Sequence, residues 1–302
     1  PWCYQPALYT QIAAGTIEEV CRILHENPRL MHKRYTRAAN TTPLRHAFAM
    51  RQFAVAHAIA MLDCANTDEV WDVLTKCDHL NGFKCPRLCC RQCLKDLELI
   101  TCLLAMAKEK FPSQLNDLIN SVDDRGWTSF VSATTINVET AQLLLEYGAD
   151  AKYRPYNDSP TPMICAVERN DFNAVVWLSK KGIIDPYALN VLRLTPLEIA
   201  AQQNNSNIVS ILAPYYDMNK VDYYFKKAII IRADHRSALL LLPYISPDMV
   251  NRTNRSGQDI LDIVFTHDIM NQRRNNPLAW QLLMQKNRVD IRTDKSVTIY
   301  YA

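Results

Sequence analysis

Thr161-Pro162-Met163-Ile164-Cys165-Ala166 and Thr195-Pro196-Leu197-Glu198-Ile199-Ala200 are copies of one phrase, and Thr42-Pro43-Leu44-Arg45-His46-Ala47 is a third. Gly126-Trp127-Thr128-Ser129-Phe130-Val131-Ser132-Ala133 fits the same frame with Ser in place of Pro. Thr128, Thr161 and Thr195 stand 33 and 34 residues apart. The phrase has a physical reason. Thr caps a helix N-terminus, and Pro is tolerated in the first turn because its missing N–H has no partner there. The Leu and Ala then face neighbouring helices, Ala being small enough for close approach.

A second helix follows each phrase. It is clearest in Val138-Glu139-Thr140-Ala141-Gln142-Leu143-Leu144-Leu145-Glu146-Tyr147-Gly148-Ala149-Asp150, where Gly148 supplies a left-handed C-terminal cap. The same helix recurs at Phe172–Lys181 before Gly182 and at Ser206–Leu212 before Pro214. Thr16–Leu24 reads likewise, after a short helix near Ala7–Ala14. Later units are degenerate: Phe225–Ala228 pairs with Ser237–Leu242, and Gly257–Val264 opens a unit closed by Leu278–Lys286.

Phrase, period and Gly-Ala-Asp ending together resemble the ankyrin repeat and its T-P-L-H-x-A signature. The resemblance is closest over Thr42–Ala47 and Asp124–Asn219 and faint after Lys220. It implies an all-α ankyrin-repeat solenoid of stacked helix-turn-helix units, about eight in number. A single array is expected over residues 1–302, degenerate over 220–302. Only six glycines are present, fewer than the family pattern uses. Asn170, Asn204 and Asn205 stand in glycine places, and Asn tolerates left-handed geometry.

Thr42 and Thr128 are 86 residues apart, which leaves about 20 residues beyond two repeats. The surplus falls in a Cys-rich insertion near 77–95. Cys77, His79, Cys85, Cys90 and Cys93 offer enough soft ligands for a tetrahedral zinc site, although the spacing matches no named pattern. The competing reading is a helix from Pro86 onward with Cys89 and Cys93 on a buried face. Lys84, Arg87, Arg91 and Lys95 recur at helical spacing in the same stretch and suit either solvent or an acidic partner.

Composition narrows the classes. Apolar residues at 48% and charged residues at 22% describe a folded chain, which sets disorder aside. The 34 basic and 31 acidic residues are too balanced for a nucleic-acid surface over the whole chain. No apolar run reaches the roughly 18 residues needed to span a bilayer. Pro1-Trp2-Cys3 does not read as a secretory leader. Several of the ten cysteines sit at helical apolar positions, as Cys21 and Cys165 do, which suits reduced thiols and a cytoplasmic or nuclear home, or the host cytosol for a secreted effector.

Phosphate loops, nucleophile elbows and metalloprotease motifs are absent, and seven histidines are scattered, so no enzymatic activity and no required cofactor are expected. A Cys-dependent or metal-binding activity in the insertion is the alternative. Leu242–Val250 resembles the start of an F-box only faintly and reads as a helix end and turn.

The expected function is therefore that of a monomeric scaffold or adaptor gripping a partner protein, including a host protein bound by a pathogen effector. The resemblance implies contacts just before each phrase and at the exposed end of each first helix. Those places hold Asp124, Arg125 and Trp127; Asn157, Asp158 and Pro160, with Glu168 and Arg169; and Val191, Leu192 and Leu194, with Gln202 and Gln203. Trp127 is the expected hot spot, and the basic face of Lys84, Arg87 and Arg91 is the other candidate surface.

Overall fold

A computed structural model of the chain describes residues 4–34, 41–76, 90, 92–123, 125–156, 159–228, 235–264, 277–278 and 281–282. Its helices are α1 (Tyr4–Ala14), α2 (Ile17–Glu26), α3 (Pro43–Ala49), α4 (Phe53–Met61), α5 (Thr67–Thr75), α6 (Leu97–Lys110), α7 (Leu115–Ile119) and α8 (Ser129–Thr134). They continue with α9 (Val138–Glu146), α10 (Pro162–Glu168), α11 (Phe172–Lys180), α12 (Pro196–Gln202), α13 (Ser206–Leu212), α14 (Met218–Lys226) and α15 (His235–Leu241). No strand occurs among the described residues. The chain divides into two compact units, Pro1–Cys165 and Ala166–Ala302, the division falling within α10.

In the first unit α1 packs on α3, and the second helices form a row: α2 on α4, α4 on α6, and α6 on α9. Because α6 touches both α4 and α9, it is the second helix of the repeat that α5 opens. The surplus residues thus interrupt one repeat between its two helices. Most of the Cys-rich stretch, including Cys77, His79, Lys84, Cys85, Arg87 and Arg91, lies outside the described residues. In the second unit α12 packs on α13 and α15, α11 on α13, and α14 on α15. Leu103, Phe130 and Leu144 are among the fully buried side chains of the first unit, as are Leu178, Leu197 and Phe225 in the second. Each such side chain contributes roughly 1.5–3 kcal/mol by leaving water.

The repeated phrase does what its chemistry suggests in three of four copies. Thr128 Oγ1 accepts the N–H of Val131 at 3.2 Å, and Thr161 Oγ1 accepts that of Ile164 at 3.3 Å. Thr195 closes a full capping box, its own N–H donating to Glu198 Oε2 at 3.0 Å. Thr42 departs from the pattern, because its hydroxyl donates to the Glu69 carboxylate at the start of α5.

Left-handed residues end helices at Gly148, Gly182, Asn170 and Asn204, where the sequence suggests, and at Gly15 and Arg51 besides. Gly15, Arg51, Asn170 and Asn204 (φ 57° to 78°) follow first helices, and Gly148 and Gly182 follow second helices. Asn205 does not occupy a glycine place. Its φ is −97°, and its side chain caps α13 by accepting the N–H of Ile208. In the degenerate region α14 begins at Met218, earlier than the apolar pattern alone indicates, because Asp217 Oδ1 accepts the N–H of Lys220 at 2.8 Å and starts the helix there. Leu242–Tyr244 and Pro247–Met249 are short 3-10 turns at a helix end.

Candidate partner-binding turns

Three turns that precede first helices share one hydrogen-bond pattern. In the Asp123 turn, Asp123 Oδ1 accepts the N–H groups of Arg125 (3.0 Å) and Trp127 (2.8 Å). The Asp123 N–H donates to the Trp127 carbonyl at 2.9 Å, and its carbonyl accepts from Gly126 at 3.0 Å. Asn190 repeats all four bonds: Oδ1 accepts from Leu192 (3.0 Å) and Leu194 (2.9 Å), and the backbone pairs with Leu194 and Arg193. Asn254 repeats them again with Ser256, Gly257 and Gln258. An Asx side chain that binds its own downstream backbone fixes a tight turn without help from packing.

The fourth residue of each turn must be left-handed, and it is Gly126 (φ 75°), Arg193 (φ 56°) or Gly257 (φ 76°). In the Asn190 and Asn254 turns the second and third residues lend no side chain to the pattern and form the tip. At Asn190 that tip is Val191 and Leu192, exposed at 90% and 70%. Tyr187 and Leu189 on the approach are also exposed, while Ala188 between them is buried.

The Asp123 turn engages its own tip. The Arg125 guanidinium donates from Nη2 and Nε to Asp123 Oδ2 at 2.9 and 3.2 Å, and it lies 5.4 Å from the centre of the Trp127 ring. Gly126 sits against the following turn, since a Cβ there would come within 3.1 Å of Tyr156 Cδ2 and 3.3 Å of Ser159 Oγ. That following turn uses a different brace, the Ser159 hydroxyl oxygen accepting the N–H of Tyr156 at 3.1 Å.

Between α13 and α14 no such turn is built. A 3-10 turn, Ala213–Tyr215, leads directly to the Asp217 cap. Tyr216 fills the place, its phenol oxygen accepting the N–H of Leu197 at 3.2 Å. Tyr187, Tyr216, Tyr224 and Tyr223 meet in sequence edge to face, at centroid distances of 5.5, 5.7 and 5.5 Å. Burial pushes the Tyr216 phenol upward and that of Tyr224 up to about 12. Beside them Lys227 Nζ reaches Glu198 Oε1 at 2.7 Å, joining α14 to the capping box of α12.

Helix pairs, capped phrases and braced turns recur through both units, and the family described as ankyrin repeats (3 copies) matches residues 151–222. The chain carries ankyrin repeats. Ankyrin repeats are protein–protein interaction modules, and the turn and first-helix positions are where contact is expected. Two curated relatives come from Microplitis demolitor bracovirus (isolate Webb). I-Kappa-B like protein G2 is 34% identical over 71 residues, which is 24% of this chain and 42% of that protein. I-Kappa-B like protein C2 is 28% identical over 75 residues, 25% of this chain and 41% of that one. The matched stretch thus spans about two fifths of each relative. A crystal structure of the human ASB11 ankyrin repeat domain aligns at a TM-score of 0.46 and 15% identity, over 81% of this chain and 98% of that one.

The ankyrin positions expected to bind fall into three groups. Asp124, Asn157 and Asp158 lie outside the described residues. Arg125, Glu168, Arg169, Leu192, Gln202 and Gln203 are exposed, as expected of contact residues. Trp127 is half-buried under Arg125 rather than standing clear of its turn. Two of the exposed residues also hold the array together: Glu168 Oε1 accepts from Asn190 Nδ2 at 2.9 Å, and Gln203 Nε2 donates to the Glu168 carbonyl at 3.0 Å. Of the residues expected before Thr195, Val191 is the most exposed large apolar residue described, whereas Leu194 is buried. The Asx brace that presents Val191 was not read from the sequence, although Asp123, Asn190 and Asn254 each stand five residues before the next Thr or Asp cap.

Of the metal candidates, Cys90 and Cys93 are both buried, within one turn of each other. Among the described residues no group of three or more His, Cys, Asp or Glu is placed to hold a metal ion. Cys102 on α6 packs as an apolar residue, its thiol donating to the Phe53 carbonyl at 3.3 Å, and burial pushes its pKa up to about 12.

Proposed function

We propose that this chain recognises a partner protein through the tips of its braced turns, with Val191 and Leu192 as the principal anchor and no chemistry of its own. The observation that carries this reading is two adjacent large apolar side chains, exposed at 90% and 70%, on a turn fixed by four hydrogen bonds. Water around such side chains is released on binding, and a rigid turn loses little conformational freedom when it docks. The adaptor or effector role, in the cytoplasm or nucleus of a host, is supported by the viral source of both relatives and by the apolar packing of Cys102.

Affinity capture with the intact chain tests this directly. A partner identified by mass spectrometry and confirmed with purified protein should be retained by the natural chain. It should be lost from Val191→Ser with Leu192→Ser at unchanged helicity. Equal retention by both chains would remove the anchor from this turn.

A further inference from the structure

We infer that the partner segment seated on the Asn190 turn is an extended strand with alternating apolar side chains, added edge to edge along Tyr187, Leu189 and Val191. This rests on the reading of that turn as a binding element and adds the conformation and side-chain pattern of what it binds.

Two patterns on the approach to the turn keep the same step of two residues. The first is in the side chains. Tyr187, Leu189 and Val191 are exposed at 46%, 42% and 90%, while Ala188 between the first two is buried. Alternation of this kind belongs to an extended chain, whose successive side chains point to opposite faces.

The second is in the backbone. The Ala188 N–H donates to the Asp185 carbonyl at 3.4 Å, and Asn190 donates to the Leu194 carbonyl and accepts from the Arg193 N–H. The N–H and C=O groups of Tyr187, Leu189 and Val191 make no hydrogen bond among the described residues. Ala188 and Asn190 thus spend backbone groups within the loop, and the three residues that alternate with them do not. Three apolar side chains therefore stand beside a row of unpaired donors and acceptors, which is the template a strand edge offers to another chain.

The strip is held in place before a partner arrives. Four hydrogen bonds fix the turn at its end, and the Tyr187 ring packs edge to face on Tyr216 at 5.5 Å. The sister turns lack such a strip. The places of Tyr187 and Leu189 hold Asn120 and Val122 before Asp123, and Asn251 and Thr253 before Asn254. Asn120 is also engaged, its Oδ1 accepting the N–H of Asp150 at 2.8 Å.

This arrangement selects among partners. Any surface that covers the three side chains also takes water from the backbone groups beside them, and a buried N–H or C=O left unpaired is costly. A partner helix would strand those groups, because its own backbone is bonded internally. An extended segment covers the side chains with its own and supplies main-chain partners to the unpaired groups.

Titration of the intact chain with a peptide that alternates Val with Ser, followed by NMR, tests the inference. The peptide should bind and slow amide hydrogen exchange at Leu189 and Val191 at least about tenfold. Methylating the backbone nitrogen of every Val, or of every Ser, blocks one peptide edge or the other and leaves the side chains untouched. One of these peptides should bind at least about tenfold more weakly than the parent, and the other should stay within about twofold. No measurable binding of the parent peptide, the same response to methylation on either edge, or unchanged exchange at Leu189 and Val191 overturns the inference. Any of these results together with loss of a captured protein partner at Val191→Ser with Leu192→Ser would leave the binding turn standing and refute only the added strand.

Discussion

The Asp123 and Asn190 turns are built from the same four hydrogen bonds, yet they present opposite surfaces. In the first, the Asx residue is a buried carboxylate that also holds Arg125, and Arg125 covers Trp127. The turn closes on itself. In the second, the Asx residue is a neutral amide whose spare donor goes to Glu168, and the tip is left as bare hydrocarbon. The comparison teaches that turn geometry and turn chemistry are set by different residues. The first and fourth positions decide the shape, and the second and third decide what it can hold.

The sharpest way to break this contrast is binding. Val191→Ser with Leu192→Ser should cost more than ~2 kcal/mol of partner affinity, while Arg125→Ala with Trp127→Ala should cost less, about 1 kcal/mol, measured by calorimetry on the same partner. A reversed order would return the hot spot to Trp127.

Next in size is an alkaline effect confined to the unit that carries the Asn190 turn. The Tyr224 phenol has a folded pKa of about 12 against an ordinary 10.0, so the stability it contributes is fully present below pH 10 and is lost as pH rises through 12. The loss is on the order of 2–3 kcal/mol, and tyrosinate absorbance followed with circular dichroism should show ionisation and unfolding together. Ionisation at an ordinary pH without unfolding would show that the tyrosine ladder is not buried as described.

The two Asx residues should differ in stability by a smaller amount. Asp123→Ala strands two backbone N–H groups and the Arg125 guanidinium, and should cost about 2 kcal/mol in urea unfolding. Asn190→Ala strands two N–H groups and otherwise releases only the exposed Glu168 carboxylate to water, and should cost about 1 kcal/mol.

Smallest are the left-handed positions. Gly126→Ala should cost about 1 kcal/mol, because its φ is positive and its Cβ would press on Tyr156 and Ser159. Gly257→Ala should cost less, since nothing lies within 4 Å of its Cβ. Arg193→Gly should be neutral or stabilising by about 0.5 kcal/mol. A clear loss at Arg193→Gly would mean that the arginine serves the fold.

Much of the fold was legible because ankyrin signals are local. Thr128, Thr161 and Thr195 cap the helices that their phrases open, and Gly148 and Gly182 end the helices before them. Thr42 carries the same phrase but its hydroxyl goes to Glu69, a residue of the next repeat, and no local pattern reveals that. The start of α14 was missed because Asp217, not hydrophobic spacing, sets it. For the site, exposure at Arg125, Glu168, Arg169, Leu192, Gln202 and Gln203 followed from their place in the repeat. The half-burial of Trp127 did not, because it depends on where the Arg125 side chain lies. Nor did the tyrosine contacts, which join Tyr187 to Tyr216, 29 positions away, through packing alone.

The Asx brace has a consequence for how such a chain changes over generations. A loop whose shape depended on its tip would lose its conformation each time the tip was altered, and every new specificity would begin with a folding defect. Here Val191 and Leu192 can be exchanged for almost any pair while Asn190 and the left-handed residue keep the backbone in place. Each braced turn is therefore a two-letter cassette, open to rapid rewriting at its tip while the frame stays as it is.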